Sequence, residues 1–163
     1  MDILETVGRK LNMNEIVGDI LKVKHGVICH QVNLQGVAGA GLARDVGIAF
    51  PEWKEHYTTN AHVYSLGDVD FLNVSKHIVI ASLFAQDGYG RDKKYTDYDA
   101  LYKCLLELTV KKCEKDLIFP YGMGCGLGGG DWGVVYGMLK TFFSSATIMR
   151  KDMDIINTQL GYN

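Results

Sequence analysis

The chain has 163 residues, of which 47% are hydrophobic and 22% charged, and its formal net charge is −2 at pH 7. A chain of this length can bury a full core, so we predict one domain spanning residues 1–163. The near-neutral charge predicts no bulk electrostatic binding of nucleic acid. No apolar stretch approaches the length of a bilayer span, and we therefore expect no membrane partner.

The first half of the chain alternates apolar runs with helical patterns. Its predicted elements, in chain order, are strands Glu15–Val17 and Gly26–Val32, helices Gly39–Phe50 and Glu52–Asn60, and strands His62–Leu66, Phe71–Val74 and His77–Phe84. Pro51 ends the first helix, because proline cannot continue the helical hydrogen-bond pattern. The nearly continuous apolar character of the last of these strands is typical of a central strand that is covered on both faces.

The second half of the chain continues the same alternation. Its predicted elements are a polar loop at Gln86–Lys94, a helix from Tyr98 to about Lys115, a strand at Asp116–Phe119, a helix at Asp131–Phe143 and a strand at Ala146–Met149. Thr96 is the predicted N-cap of the first helix in this half. Strands that alternate with helices predict an α/β domain with helices on both faces of the sheet.

The N-terminus and the cysteines bear on the compartment and on metal binding. Met1–Glu5 lacks the basic start and apolar core of a secretory signal, which predicts a cytoplasmic protein. No two of the four cysteines form a C-x-x-C pair; they are Cys29, Cys104, Cys113 and Cys125. We therefore predict reduced, partly buried thiols, no metal site and no cofactor.

Two glycine-rich segments, Gly36–Gly41 and Gly122–Gly130, each follow a predicted strand and precede a predicted helix. Glycine lets backbone N–H groups approach a phosphate, and a helix N-terminus adds partial positive charge there. Neither segment is a P-loop, because no Lys-Ser/Thr pair follows its last glycine, and neither has the full dinucleotide-binding fingerprint. Together they predict one pyrophosphate held from two sides at the edge of the sheet where ligands bind in open α/β folds.

Four polar side chains near these segments have both a structural and a functional interpretation. Asp19 is a turn carboxylate or the acceptor for an exocyclic amine such as adenine N6. Asn33 is a turn residue or a partner for a sugar hydroxyl or a water. His30 is a packed strand residue or an acid or base, and Asp131 is a helix cap or a carboxylate that orients water.

Taken in order, these residues resemble the macrodomain family of ADP-ribose binders and hydrolases, over about Asn14–Phe143. The resemblance implies a three-layer α/β/α fold with a mixed central sheet. It implies an adenine-recognition turn at Gly18–Ile20 and two phosphate loops, the first of which carries an asparagine for the distal ribose. The implied ADP-ribose-binding residues are Asp19, Ile20, Asn33, Gly39, Ala40, Gly41, Leu42, Gly122, Gly124, Cys125, Gly126 and Leu127.

Within this family, the chain looks most similar to the fungal-type ADP-ribose-1″-phosphate phosphatases. Another subgroup carries a catalytic lysine at the end of a strand and an aspartate after Gly-Cys-Gly-Leu. Here the corresponding strand end, Ser82–Gln86, has no lysine, and Gly128 follows Leu127. Three pieces of the sequence resemble the phosphatases: His30-x-x-Asn33, Phe84-Ala85-Gln86 with Gly88-Tyr89-Gly90, and the pair Asp131-Trp132.

The resemblance implies an enzyme that binds ADP-ribose and releases phosphate from ADP-ribose-1″-phosphate without a metal or cofactor. Its implied catalytic residues are His30, Asn33 and Asp131. One alternative is a non-catalytic module that binds ADP-ribose, its cyclic isomers or ADP-ribosylated macromolecules. Another is a hydrolase that removes ADP-ribose from protein or nucleic acid.

Overall fold

Six strands form one mixed sheet in the computed structural model, which describes residues 13–112 and 114–151. The strands are β1 (Asn14–Val17), β2 (Gly26–Asn33), β3 (Val69–Asn73), β4 (Ile78–Gln86), β5 (Leu117–Pro120) and β6 (Thr147–Arg150). Their order across the sheet is β1-β6-β5-β2-β4-β3, and every neighbouring pair is parallel except β3 with β4. The predictions for Met1–Glu5 and Cys113 lie outside the described residues.

Four α-helices flank the sheet in this part of the chain: α1 (Gly41–Ala49), α2 (Pro51–Asn60), α3 (Tyr98–Lys111) and α4 (Trp132–Phe142). The first two pack on one face and the last two on the other. The predicted three-layer α/β/α fold with a mixed sheet is therefore confirmed. Over residues 13–112 and 114–151, no helix has both the length and the apolar character to cross a membrane.

The alternation of side chains along β2 explains how one strand serves both layers. Val27 and Cys29 point to the core under α3 and α4, whereas Ile28 and Val32 point to the core under α1 and α2. All four are at most 5% exposed. The start of the strand, Val27–Cys29, is a continuous apolar run, as expected for the buried centre of a largely parallel sheet.

The predicted strand at His62–Leu66 is wrong. Ala61–Val63 forms a 3-10 turn, and the edge of the sheet is formed by β3 instead. Tyr64 stacks on Phe84 with ring centroids 4.6 Å apart, and its hydroxyl donates to Asp70. The alternating pattern thus reflects an aromatic side chain packed beside β4 and not a hydrogen-bonded strand.

The predicted N-cap of α3 is also wrong, by one residue. Asp97 is the N-cap, and its Oδ1 accepts a hydrogen bond of 3.0 Å from the N–H of Ala100. Thr96 is instead held in an antiparallel bridge with Gln86 and donates to the carbonyl of Gly124. An aspartate and a threonine are both good caps, so the sequence alone did not distinguish the neighbours. The helix ends at Lys111, before its predicted end.

Candidate functional site

A cavity of about 600 Å³ opens at the carboxyl edge of the sheet, a size typical of small-molecule sites. Three connections surround it. We call residues 34–42, from the end of β2 into the first turn of α1, the first loop; residues 121–131, after β5, the second loop; and residues 87–97, after β4, the bridging segment. The two loops follow neighbouring parallel strands, which brings both glycine-rich segments to one place as predicted.

Most of the residues predicted to bind ligand or to act in catalysis line this cavity. They are His30, Asn33, Gly39, Ala40, Gly41, Leu42, Gly122, Gly124, Gly126 and Leu127. Their assembly from two distant parts of the chain agrees with a single ligand held by both loops. The roles of the individual residues in binding or catalysis stay predictions.

Four of the predicted residues do not line the cavity wall. Asp19 accepts a hydrogen bond from the N–H of Leu21 at the end of β1, and Ile20 is buried in the core. The thiol of Cys125 points to the carbonyl of Met123 in its own loop. Asp131 caps α4, with its Oδ1 3.2 Å from the N–H of Val134.

The side chain of Asn33 shapes the first loop from within. Its Oδ1 accepts hydrogen bonds from the N–H groups of Gln35 and Val37, at 3.1 and 3.2 Å, and from the hydroxyl of Tyr57 at 2.8 Å. Its Nδ2 donates to the carbonyl of Val37. An amide nitrogen carries two donors, so one N–H of Asn33 is left for a ligand.

His30 lies beneath the cavity, against Trp53. The two rings meet edge to face with centroids 4.8 Å apart, and His30 is 1% exposed. Neither ring nitrogen has a hydrogen-bond partner among the described residues. Burial lowers the pKa of His30 to about 3, so the imidazole is neutral at pH 7. In that state it can exchange hydrogen bonds with a water, but it holds no imidazolium proton for a leaving group.

The second loop closes on itself with some of its N–H groups and leaves others open. Three of its N–H groups, those of Cys125, Gly129 and Gly130, donate to carbonyls inside the loop. Five others have no acceptor among residues 13–112 and 114–151: those of Gly122 and Gly124, and the consecutive three of Gly126, Leu127 and Gly128. Unpaired N–H groups in succession suit an anion.

The two sides of the cavity lie close together at Gly41 and Leu127. A Cβ built on Gly41 would lie 3.4 Å from Cδ1 of Leu127 in the second loop. Gly41 begins α1 with a φ of +61°, a left-handed conformation that favours glycine. Its N–H and that of Leu42 make no hydrogen bond within the described part of the chain. The N-terminus of α1 therefore faces the second loop with free donors.

A buried polar network, which sequence reasoning missed, holds the second loop in place. Nε2 of Gln31 donates to Oε1 of Gln86 and to Oγ1 of Thr96, each at 2.8 Å, and Oγ1 of Thr96 donates to the carbonyl of Gly124 at 2.6 Å. Thr96 is 2% exposed. The sequence of β2 contains one indication of this network, because Gln31 is the polar residue on a strand face that otherwise carries Val27 and Cys29.

This network leaves no space for a side chain at position 128. A Cβ on Gly128 would lie 2.5 Å from Oγ1 of Thr96 and 2.7 Å from the carbonyl oxygen of Gly124. The loop therefore requires glycine there, and an aspartate at this position would need a different arrangement of Thr96.

The thiols of the described residues offer no reactive centre. Cys29, Cys104 and Cys125 are free, and burial raises their pKa values, to about 12 for Cys104 and about 11 for Cys125. Such thiols stay protonated near neutrality. Within the described ranges, no group of three or more His, Cys, Asp or Glu side chains is arranged to hold a metal ion.

Comparison with known proteins identifies the fold. No protein-family model matches the sequence. An uncharacterized 17.5 kDa protein in the tk-vs intergenic region of Enterobacteria phage T4 is 28% identical over 140 residues, covering 78% of this chain and 86% of that protein. A solved protein of unknown function from Bacteroides thetaiotaomicron is similar with a TM-score of 0.74 and 26% identity, covering 86% of this chain and 98% of that one.

Two further solved structures are also similar to this chain. A macrodomain protein from Streptomyces coelicolor is similar with a TM-score of 0.69 and 22% identity, over 85% of this chain and 98% of that one. DarTG of Thermosipho africanus, solved in complex with ADP-ribose, is similar with a TM-score of 0.72 and 17% identity, over 88% of this chain and 42% of that one. The chain therefore has the macrodomain fold.

The buried neutral His30 makes stability depend on pH. Its pKa is about 3 in the folded protein and close to 6.5 when unfolded, so the unfolded chain binds the extra proton between these values. The folded protein is therefore most stable, as far as His30 is concerned, above pH 6.5, and this stability is lost as the pH falls toward 3. Over this range the free energy of unfolding changes by up to about 1.4 kcal/mol per pH unit. Urea unfolding of His30→Leu at several pH values should lack this part of the slope. His25→Gln, at an exposed position, should keep it. Equal slopes in all three proteins would contradict this account.

Thr96 should control the rigidity of the second loop. Thr96→Val keeps the shape of the side chain but removes a donor to Gly124 and an acceptor for Gln31, which typically costs roughly 1–3 kcal/mol for a buried group. Amide hydrogen exchange in residues 122–130 should become at least about fivefold faster. Thr109→Val, at an exposed position of α3, is the matched control. Unchanged exchange in the second loop of Thr96→Val would show that another contact holds it.

Proposed function

We propose that this protein binds ADP-ribose between its two loops and hydrolyses ADP-ribose-1″-phosphate to ADP-ribose and inorganic phosphate. The observation that carries the proposal is the opposition of free N–H groups across the cavity. Gly41 and Leu42 supply them from the first side, and residues 126–128 supply them from the second. The similarity to DarTG, solved in complex with ADP-ribose, supports the choice of ligand.

The donors match the charge of a diphosphate. Each of its two phosphoryl groups carries a negative charge, and each loop contributes to the cavity wall residues whose N–H groups have no acceptor in the described structure. The N-terminus of α1 adds the partial positive charge of a helix end. Because β2 and β5 are neighbours, the loops lie close enough for linked phosphates to contact both. The diphosphate thus needs no metal ion in this proposal.

The remaining parts of the ligand extend along the edge of the sheet. The adenine lies toward Asp19 at the end of β1, and the distal ribose lies toward Asn33 at the end of β2, whose free amide N–H donates to a hydroxyl. A 1″-phosphate on that ribose is then near His30 and Asn33. A water attacks its phosphorus, the bond from phosphorus to O1″ breaks, and O1″ takes up a proton as ADP-ribose leaves. Neutral His30 orients the water by a hydrogen bond.

Two departures of the chain speak against lysine-dependent removal of ADP-ribose from macromolecules. The carboxyl end of β4 reads Phe84-Ala85-Gln86, without a lysine. The position after Leu127 is a glycine whose Cβ would collide with Thr96. Both groups on which that chemistry depends are therefore missing from the places where the resemblance locates them.

A non-catalytic ADP-ribose-binding module is the second candidate, and one observation favours it. No Asp or Glu is among the residues that line the cavity in the described structure, and the carboxylate of Asp131 is engaged as a helix cap. A binding module needs only the loop donors, whereas a hydrolase needs a group that places water or moves a proton. Removal of ADP-ribose from protein or nucleic acid is the third candidate, and product analysis distinguishes it from the others.

A charged side chain at position 41 should abolish binding. Gly41→Glu places a carboxylate in the space between the loops, where it repels the diphosphate. Gly41→Ala imposes a similar backbone strain of about 1 kcal/mol at positive φ without the charge, and it is the matched control. Calorimetry should give a wild-type signal with ADP-ribose, a weakened one for Gly41→Ala and none for Gly41→Glu. Folded Gly41→Glu that binds with wild-type affinity would show that the first loop does not hold the diphosphate.

The hydrolase and the binding module differ in turnover. The wild-type protein should release inorganic phosphate from ADP-ribose-1″-phosphate in excess EDTA. Asp131→Asn keeps a good helix cap and removes only the charge. If the carboxylate of Asp131 is catalytic, this variant should release phosphate roughly 10²–10⁴-fold more slowly than the wild-type protein. Asp131→Ala, which removes the cap too, shows in its melting temperature how much of any loss is structural. Wild-type protein that binds ADP-ribose but releases no phosphate would contradict the phosphatase proposal and support the binding module. Release of ADP-ribose from modified protein or DNA would support the third candidate.

A further inference from the structure

The cavity wall contains one formally charged side chain among the residues that the structure describes, and it is Arg91. The other arginine near the loops, Arg44, does not line the cavity. Its Nε lies 3.1 Å from Oδ1 of Asp45 on the exposed side of α1. The phosphate-binding loops themselves carry no cation, so Arg91 is the source of positive charge in the wall.

The bridging segment holds Arg91 at a defined end of the cavity. On one side, Nε2 of Gln86 donates to the carbonyl of Gly88 at 2.9 Å. On the other, the N–H of Tyr95 donates to the carbonyl of Gly128 in the second loop at 2.8 Å. Arg91 lies between these two anchors, and the segment leaves β4 next to the point where Asn33 pairs with Gln86. Arg91 therefore lies on the β4 side of the cavity, in the segment that joins the end of β4 to the second loop.

The acidic neighbours of Arg91 are engaged by other groups. The carboxylate of Asp92 accepts a hydrogen bond from the hydroxyl of Tyr95, which holds the pKa of Asp92 below its usual range. The carboxylate of Asp87 accepts from Nε2 of Gln35 at 3.1 Å. Arg91 makes no ion pair within residues 13–112 and 114–151. Its guanidinium is thus available to an anionic ligand.

The other cations of the bridging segment point to aromatic faces. Nζ of Lys94 lies 4.3 Å from the ring centroid of Tyr98, and Nζ of Lys93 lies 5.1 Å from that of Tyr95. Neither lysine lines the cavity. These lysines therefore differ from Arg91 in position while sharing its charge, which makes them suitable controls.

We infer that Arg91 is a specificity-determining residue that binds an anionic phosphate monoester on the distal ribose of the ligand. The inference rests on the proposed function, which sets the direction of the ligand. With the diphosphate between the loops and the adenine toward β1, the distal ribose extends to the ends of β2 and β4, where Arg91 lies. Four strand spacings, about 19 Å, separate the ends of β1 and β4, so Arg91 is remote from the adenine. A guanidinium donates two parallel hydrogen bonds to a phosphate, an interaction that a neutral ribose hydroxyl does not match.

The experiment compares two ligands that differ only in the terminal phosphate. Calorimetry measures the dissociation constants of ADP-ribose and of a hydrolysis-resistant phosphonate analogue of ADP-ribose-1″-phosphate, so that turnover does not disturb the titration. The wild-type protein should prefer the phosphonate, and Arg91→Gln should lose roughly tenfold of that preference while its affinity for ADP-ribose stays nearly constant. Arg91→Lys should retain part of the preference, and Lys94→Gln should retain all of it. The preference should shrink in 0.5 M salt, at which the Debye length is well below about 8 Å.

The results separate this inference from the function on which it rests. Wild-type protein that binds neither ligand would overturn the proposed function itself. Wild-type protein that binds ADP-ribose without preferring the phosphonate would overturn the role of Arg91 alone. Arg91→Gln that weakens both ligands equally would also overturn that role, because it would place the guanidinium on the diphosphate.

Discussion

The site depends on backbone N–H groups that the fold leaves without acceptors on both sides of one cavity. An N–H group that is shielded from water and unpaired is costly, so such groups persist where a ligand or solvent can reach them. Here they occur in two loops that follow neighbouring parallel strands, β2 and β5. The sheet sets the spacing between the loops, and the glycines permit the backbone to turn its donors toward the gap.

Side chains around the loops act mainly by shaping them. Asn33 accepts three hydrogen bonds that fold the first loop around its carboxamide. Thr96 and Gln31 hold the second loop in a similar way, through hydrogen bonds that link Gln31 to Thr96 and Thr96 to the carbonyl of Gly124. The three residues are far apart in the chain. Gly41 lies close to Leu127, with space for little more than a Cβ between them. In the proposed function, these residues act through the position of the backbone, and a wall with one charged side chain can therefore suit a doubly charged ligand.

Much of this arrangement was predictable from sequence because it is local. Glycine-rich segments after apolar runs identify loops at the carboxyl ends of strands, and alternating elements identify the layers. The placement of Asn33 beside the first loop also follows from its position at the end of the apolar run that forms β2. These features depend on a few consecutive residues, and the structure retains them.

The parts that sequence did not predict depend on partners that are distant in the chain. The pattern at His62–Leu66 resembles a strand, but its periodicity comes from the packing of Tyr64 on Phe84. Thr96 resembles a helix cap, but its hydroxyl has a buried carbonyl partner in the second loop. A histidine side chain such as that of His30 can act as an acid or base near neutral pH, whereas burial against Trp53 lowers its pKa and keeps it neutral. In each case, the competing interaction is a tertiary contact that has no local signature.

The central claim is that both loops hold one diphosphate with their N–H groups. The most direct test is a titration of ¹⁵N-labelled protein with ADP-ribose, followed by amide chemical shifts. Hydrogen bonds to phosphate should move the amide protons of Gly41 and Leu42, and those of residues 126–128, downfield together at the same ligand concentration. Shifts in only one loop, or shifts confined to side chains elsewhere in the cavity, would contradict the account.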